Sequence, residues 1–194
     1  MEWVIPAVLV ALVTWGGLIR TRLRRLRAEA VGTWPALAAR LQRRHGLVTP
    51  LVQALQDLPR KAQKPVQALV KARNAALVAD LSPMAAGLAE QALETAIVNA
   101  LAHGEAHPDQ VDPARLAQLA HSFEEMAEEI TDAAEAFNHA VFAYNMACVG
   151  TPAIVIAKWL NFYKLEYFGL DQAEREALTQ IERGHAPAPG ARMG

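Results

Sequence analysis

The sequence lacks most of what would build a disulfide framework, a cysteine metal site or a β-sheet. Cys148 is the single cysteine in 194 residues, which excludes an internal disulfide and a zinc site made of cysteines. Aromatic residues make up only 6% of the chain, whereas hydrophobic residues, many of them alanine, make up 53%. β-Branched residues cluster only near the N-terminus and around residues 149–156. This composition favours closely packed helices over sheets, so we expect an all-α protein.

Charge is absent from Trp3 to Ile19, and this apolar run is the most informative stretch of the chain. It stops at five closely spaced arginines, Arg20, Arg22, Arg24, Arg25 and Arg27. The run lies at the short end of the lengths that cross a bilayer, and the arginine stems make the length sufficient. Trp3 and Trp15 lie near its two ends, where indole rings favour the headgroup region.

A secretory signal would place positive charge before the apolar run, and this chain places it after. We therefore predict an uncleaved transmembrane anchor at residues 1–19, with the N-terminus outside and the following residues in the cytoplasm. The five arginines would then face the lipid headgroups. The alternative is an apolar N-terminal helix of a soluble core, but such a helix seldom ends in five arginines.

The remaining charge is divided unevenly along the chain. Residues 20–73 carry 13 lysines and arginines against two acids, whereas residues 74–194 carry 6 against 17. One interpretation is that the two halves pack antiparallel and offset each other; the other is that the basic half contacts anionic lipid, worth about 1 kcal/mol per basic residue. We expect Arg40, Arg43 and Arg44 to meet solvent or the acidic helix. The basic region has no interleaved aromatics, so we predict no nucleic-acid partner.

Apolar residues at steps of three and four predict a helical bundle of three to four long helices over residues 20–182. The first helix continues from the anchor, with a kink at Pro50, and a shorter one follows at 60–80. Ser82-Pro83 and Asp112-Pro113 mark helix starts, and 103–112 is expected to be a loop. Residues 153–168 form an amphipathic stretch, and 183–194 are predicted to be a disordered tail.

Two helices have predicted inward faces. In the third helix the expected inward residues are Leu88, Ala92, Leu93, Ile97 and Leu101. The fourth has an unbroken apolar seam, typical of coiled-coil or bundle packing, made of Leu116, Leu119, Phe123, Met126, Ile130, Ala133, Phe137, Ala140, Tyr144 and Ala147.

Several motifs resemble the LemA family of bacterial membrane proteins. They are Arg43-Arg44-His45 followed by Pro50 with apolar neighbours, Phe137-Asn138 with Tyr144-Asn145, and Glu166-Tyr167-Phe168. The chain departs from the family pattern at Thr151-Pro152 and at His107, where the family has Phe-Pro and an aromatic residue. The resemblance covers roughly residues 20 to 170. It implies a single-pass protein of the bacterial inner membrane with an antiparallel helical bundle and no established catalytic activity.

The sequence offers few groups for chemistry. His103-Gly104-Glu105-Ala106-His107 differs from a zinc-protease helix because its glutamate is in the third place. The chain contains no Glu-x-x-His pair for a di-iron bundle. The acidic residues beside the seam of the fourth helix are expected to form a solvated face; they are Glu124, Glu125, Glu128, Glu129, Asp132 and Glu135. We therefore predict no catalytic residue, cofactor, metal or small-molecule substrate.

Asn138 and Asn145 are seven residues apart, so they occupy equivalent places beside the seam. We expect each to bond a neighbouring helix or the kink near Pro50; the alternative is a role in partner binding.

Three functions stay open from the sequence alone. The first is a non-enzymatic membrane-anchored scaffold or adaptor that forms a homo-oligomer or recruits a membrane-protein partner. The second is a lipid-surface or membrane-remodelling protein, and the third is a metal-dependent bundle enzyme.

Overall fold

The protein is all-α, as predicted. The computed structural model describes residues 3–58, 63–79, 82–150, 153–169 and 181. Within these ranges the chain forms helices and no strand. The helices are α1 (Val4–Ala54), α2 (Lys64–Val78), α3 (Pro83–Glu105), α4 (Pro113–Val149) and α5 (Ala153–Trp159). Pro152 and the predicted tail at 183–194 lie outside the described residues.

The chain divides into two compact units. The anchor unit contains the residues up to Thr33 together with Asn138–Leu165. The bundle unit contains Trp34–Phe137 and the short segment that begins at Glu166. α1 and α4 each contribute to both units.

α1 runs for 51 residues from the apolar run into the bundle, as the sequence predicts. The helix is uninterrupted at Pro35 and at Pro50, and it ends at Ala54. It is long and apolar enough near its N-terminus to cross a membrane. α4 and α5, which meet at an angle of 97°, pass the same test only when they are taken together.

Four helices supply the core of the bundle unit. Val48 and Leu51 of α1, and Leu55 just after it, pack with residues of α2, α3 and α4, among them Leu69 and Phe123. The seam of α4 lies inward along its whole length, since every predicted seam residue is buried or half-buried. Both predicted helix starts are also present. Ser82 Oγ accepts a hydrogen bond from the Ala85 amide, and Asp112 Oδ1 accepts from Ala114 at 3.0 Å.

The predicted inward face of α3 is partly wrong. Leu93 and Ile97 are buried and Leu101 is half-buried, but Leu88 and Ala92 are exposed. The buried residues are mostly small; they are Ala86, Gly87, Glu90, Leu93, Ala96, Ile97, Ala100 and Gly104. Small side chains let neighbouring helices approach closely, so the inward face follows them rather than the larger apolar residues. The helix also extends past His103, into the stretch that the sequence predicts to be a loop.

α5 is shorter than the amphipathic stretch predicted at 153–168. It ends in a Schellman motif, in which the Phe162 amide bonds the Ala157 carbonyl at 2.9 Å and the Asn161 amide bonds Lys158 at 3.3 Å. Asn161 has φ 55°, a left-handed conformation that asparagine tolerates better than most residues. The residues that follow, 162–167, lie outside any helix and form an irregular segment.

Gly87 permits a close approach between α3 and the segment that begins at Glu166. A Cβ at Gly87 would overlap the backbone nitrogen and Cα of Gly169, which cannot rotate away as a side chain can. We expect Gly87→Ala to lower the free energy of unfolding by about 2 kcal/mol. The control is Gly46→Ala, also within a helix, where a Cβ meets nothing within 4 Å. It should raise stability by about 0.5–1 kcal/mol. Thermal unfolding followed by circular dichroism separates the two, and a stabilising Gly87→Ala would contradict the close approach.

Candidate functional site

A buried cluster of charged side chains joins three helices of the bundle unit. Arg44 of α1 donates hydrogen bonds from its two terminal nitrogens to Glu90 Oε2 and, at 2.6 Å, to Glu94 Oε2, both on α3. His45 Nε2 lies 2.5 Å from the other Glu90 oxygen, Oε1. Arg73 of α2 donates from Nε to the carbonyl oxygen of His45 at 3.0 Å. The cluster therefore ties α1, α2 and α3 together.

Glu90 is held in its ionised form by these partners. Burial raises the pKa of its carboxyl group, but the hydrogen bond with His45 and the positive charge of Arg44 outweigh burial, so the pKa of Glu90 lies below its ordinary value. The side chains of Arg44 and Glu90 are each only 5% exposed. The two buried charges therefore compensate each other, since Glu94, the second carboxylate partner of Arg44, is 46% exposed.

The cluster has little room for a substrate. A histidine bonded to a carboxylate is an arrangement that a general base can use. The cavity beside His45 and Glu90, however, has a volume of about 40 Å³. That volume suits a water molecule, whereas ligand pockets take roughly 300–1,000 Å³. The geometry favours a structural role in holding the helices in register.

Three arginines in this part of α1, Arg40, Arg43 and Arg44, have different partners. Arg40 and Arg43 lie 3.7 and 3.6 Å from Glu129 on the acidic face of α4, as predicted for the basic and acidic halves. The sequence predicts that Arg44 meets solvent or the acidic helix, but it is buried against α3 instead. All six acidic residues predicted to form the solvated face of α4 are exposed.

Asn145 binds the irregular segment that follows α5 in the anchor unit. Its side chain is buried and makes two hydrogen bonds to one residue: Oδ1 accepts from the Leu165 amide at 2.9 Å, and Nδ2 donates to the Leu165 carbonyl at 3.1 Å. The sequence predicts a neighbouring helix or the Pro50 kink as the partner, so the prediction of a structural bond is right and its place is wrong. Asn138 is half-buried and also interacts with another group of the protein.

Tyr144 supports the same segment. Its hydroxyl donates to the Tyr163 carbonyl at 2.9 Å, and its ring packs in a buried cluster with Leu23, Cys148 and Ala157. Burial and the neighbouring Cys148 raise the pKa of Tyr144, so that the hydroxyl stays a donor. The sequence marks Tyr144 as a seam residue but carries no signal for this hydrogen bond.

The two histidines near the end of α3 contact each other. Their ring centroids lie 4.6 Å apart, and His107 Nδ1 lies 2.9 Å from the carbonyl oxygen of His103. Within the described ranges, no three His, Cys, Asp or Glu side chains converge on a point that would hold a metal ion.

The apolar run of α1 presents its side chains outward. The exposed large apolar residues there are Trp3, Ile5, Leu9, Val10, Leu12, Val13, Trp15 and Leu18. The arginines that follow, Arg20, Arg22, Arg24, Arg25 and Arg27, are also exposed. α5 lies beside this run, since a Cβ at Gly16 would be 3.8 Å from Ile156 Cδ1.

The sequence pattern of the LemA family matches residues 33–182, well over half of the chain. This chain belongs to the LemA family. No curated protein matches it. In this LemA protein the motif residues Arg44 and His45 form the buried cluster, and Tyr144 and Asn145 hold the segment after α5.

The last LemA motif, Glu166-Tyr167-Phe168, packs within the bundle unit. Phe168 is buried with its ring centroid 6.2 Å from that of Trp34, and Trp34 lies 5.4 Å from Phe137. Tyr167 is half-buried. Pro50, from the first LemA motif, is also half-buried, within α1. Glu166 accepts a hydrogen bond from Ser82 Oγ at 2.5 Å. These contacts fasten the segment against the start of α3.

Sequence reasoning missed Glu90, Glu94 and Arg73 altogether. The signal for Glu90 is its place on the helix, because it stands at steps of four and three from Ala86 and Leu93 on the small-residue face. An acidic residue on such a face requires a buried cation, and Arg44 supplies it.

Proposed function

We propose that this LemA protein is a non-enzymatic, membrane-anchored helical scaffold that recruits a protein partner or a second copy of itself. The supporting observation is the contrast between the inside and the outside of the bundle unit. Its converging polar groups, Arg44, Glu90 and His45, bond to one another across the helices. Large apolar side chains of α2 and α3 stay exposed in the described part of the chain; they are Val70, Leu77, Val78, Leu88 and Val98. Exposed apolar side chains on α2 and α3, two helices that pack together, are candidates for contact with another protein.

A membrane anchor at the start of α1 is part of this proposal. α1 carries the exposed apolar run and continues into the bundle core. The arginines from Arg20 onward support a cytoplasmic bundle at the inner membrane of a bacterium, with the N-terminus outside.

A photocrosslinking experiment tests the scaffold. The full-length protein, in the membranes of the cells that make it, would carry a photoreactive residue at Val70, Leu77, Leu88 or Val98. We expect a discrete adduct from these positions, with twice the mass of the chain if the partner is a second copy.

The matched controls are Glu124, Glu128 and Asp132, which are equally exposed but lie on the acidic face of α4. They should give little adduct. Equal labelling of both faces, or no adduct from either, would contradict a specific recruitment surface. Alkaline carbonate extraction of the same membranes checks the anchor separately, because an integral protein stays in the pellet.

We propose contact with the lipid surface as a second role, favoured by α5. Val155, Trp159 and Tyr163 are exposed on or just after this helix, which turns away from α4 at 97° beside the apolar run. Tryptophan and tyrosine favour the boundary between hydrocarbon and water, so α5 suits a position in the plane of the membrane surface.

A further inference from the structure

A groove in the anchor unit lies directly after the apolar run. Its volume is about 500 Å³. One wall is α1, where Arg20, Arg24 and Arg27 follow at intervals of four and three residues and therefore share one face. The opposite wall is made of Leu160 and Phe162, from the turn that ends α5. The groove therefore has a cationic side and an apolar side.

Among the described residues, no carboxylate serves as a counter-ion to the three arginines of this groove. In the described ranges none of their guanidinium groups is paired with a carboxylate, whereas Arg40 and Arg43 both meet Glu129. Three positive charges that face one concave space attract an anion. Guanidinium groups suit phosphate in particular, because their paired N–H donors match two phosphate oxygens.

The place of the groove along α1 indicates where that phosphate comes from. Arg20 directly follows the apolar run, and Arg27 lies about 10.5 Å further along the helix axis. Side chains on a helix point toward its N-terminus, so the guanidinium groups reach back toward the hydrocarbon boundary. The exposed Trp159 and Tyr163 flank the apolar wall and favour the same depth. The groove therefore opens into the headgroup layer.

We propose that this groove binds the phosphate of one anionic phospholipid, with the arginines on the phosphate and with Leu160 and Phe162 against the upper acyl carbons. This inference rests on the proposed membrane anchoring and goes beyond it. General attraction between arginines and an anionic surface depends on charge and depth alone, whereas a groove depends on which face of α1 carries the charge.

The experiment compares two double variants of the full-length protein in mild nonionic detergent. Arg24→Gln/Arg27→Gln removes two charges from the groove. Arg22→Gln/Arg25→Gln removes two charges at nearly the same depth from the other side of α1. Native mass spectrometry during titration with phosphatidylglycerol measures how much lipid stays bound, and phosphatidylcholine gives the zwitterionic background.

We expect one phosphatidylglycerol per chain in the wild type and roughly 30-fold weaker binding in Arg24→Gln/Arg27→Gln, from two lost headgroup contacts. Arg22→Gln/Arg25→Gln should stay within about threefold of the wild type, as expected of exposed charges outside the site. Equal losses in the two variants, or no preference for phosphatidylglycerol, would overturn the proposal.

Two further measurements distinguish a bound phospholipid from free phosphate and from anchoring alone. Displacement of the lipid by millimolar inorganic phosphate would overturn the lipid source, because the groove would then be a simple phosphate site. Carbonate extraction of membranes that contain Arg24→Gln/Arg27→Gln separates lipid binding from the anchor. A variant that stays in the membrane pellet but binds lipid as the wild type does refutes the groove and leaves the anchor standing.

Discussion

Replacing Glu90 with alanine should lower the free energy of unfolding by about 3 kcal/mol, because the buried Arg44 then keeps only the half-buried Glu94 as a carboxylate partner. Glu90 is the only residue that bonds both Arg44 and His45 among the described contacts, and its side chain is 5% exposed. Urea unfolding of the full-length protein in mild detergent, followed by circular dichroism, measures the loss.

Two control variants test whether the loss of stability comes from the burial of the Arg44–Glu90 pair or only from the removal of a charge. Glu129→Gln removes the same charge from a carboxylate that is 46% exposed and meets Arg40 and Arg43 at the surface. It should cost less than about 1 kcal/mol. Arg44→Met/Glu90→Leu removes both buried charges and should be more stable than Glu90→Ala. Equal costs for Glu90→Ala and Glu129→Gln would contradict the role of burial.

The same pair sets a dependence on pH. The pKa of Glu90 in the folded protein lies below its ordinary value of 4.5, so the folded state holds the ionised form more tightly than the unfolded chain does. The stabilisation is therefore complete above about pH 4.5 and is lost as the pH falls through the lower, folded pKa. Glu90→Ala should flatten this part of the stability curve, and Glu129→Gln should leave it in place.

The buried cluster also shows where sequence patterns are sufficient and where they fail. The seam of α4 is predicted in full because large apolar residues at regular helical steps indicate a face that is buried in a core. α3 is different, since most of its inward residues are alanine, glycine and one glutamate, with only Leu93 and Ile97 large and apolar. Alanine, glycine and glutamate are common on solvated faces too. Periodicity alone therefore favours Leu88, which is exposed, over Glu90, which is buried.

Sequence patterns also fail to predict the long-range partners of Arg44 and Asn145, because those partners depend on three-dimensional packing. Arg44 and Arg43 are neighbours with the same chemistry, and only the three-dimensional packing decides that one is buried against α3 while the other meets α4 at the surface. Similarly, Asn145 stands beside the seam in the sequence, but its partner Leu165 lies in a segment that helical periodicity predicts as helix. A left-handed residue at Asn161 ends α5 early and frees that segment.

Asn145→Leu should release the segment after α5 and lower the free energy of unfolding by about 3 kcal/mol. The substitution keeps the approximate volume of the side chain but leaves the amide and the carbonyl of Leu165 without partners, and each unsatisfied buried group costs about 1–3 kcal/mol. Tyr144→Phe is the milder comparison, because it removes one hydrogen bond to the Tyr163 carbonyl and should cost about 1 kcal/mol. Asn145→Asp should fall between them, since it still accepts from the Leu165 amide but cannot donate to the carbonyl.

Hydrogen exchange gives the local readout for this prediction. In the wild type the Leu165 amide is protected by Asn145 Oδ1 at 2.9 Å, and in Asn145→Leu its exchange should accelerate while α2 and α3 stay protected. Unchanged protection of Leu165 would show that the asparagine does not hold the segment. Because Leu160 and Phe162 belong to the same turn, a loosened segment should also weaken phospholipid binding in the arginine groove without removing a single charge. That coupled loss would distinguish a shaped site from a merely basic stretch of α1.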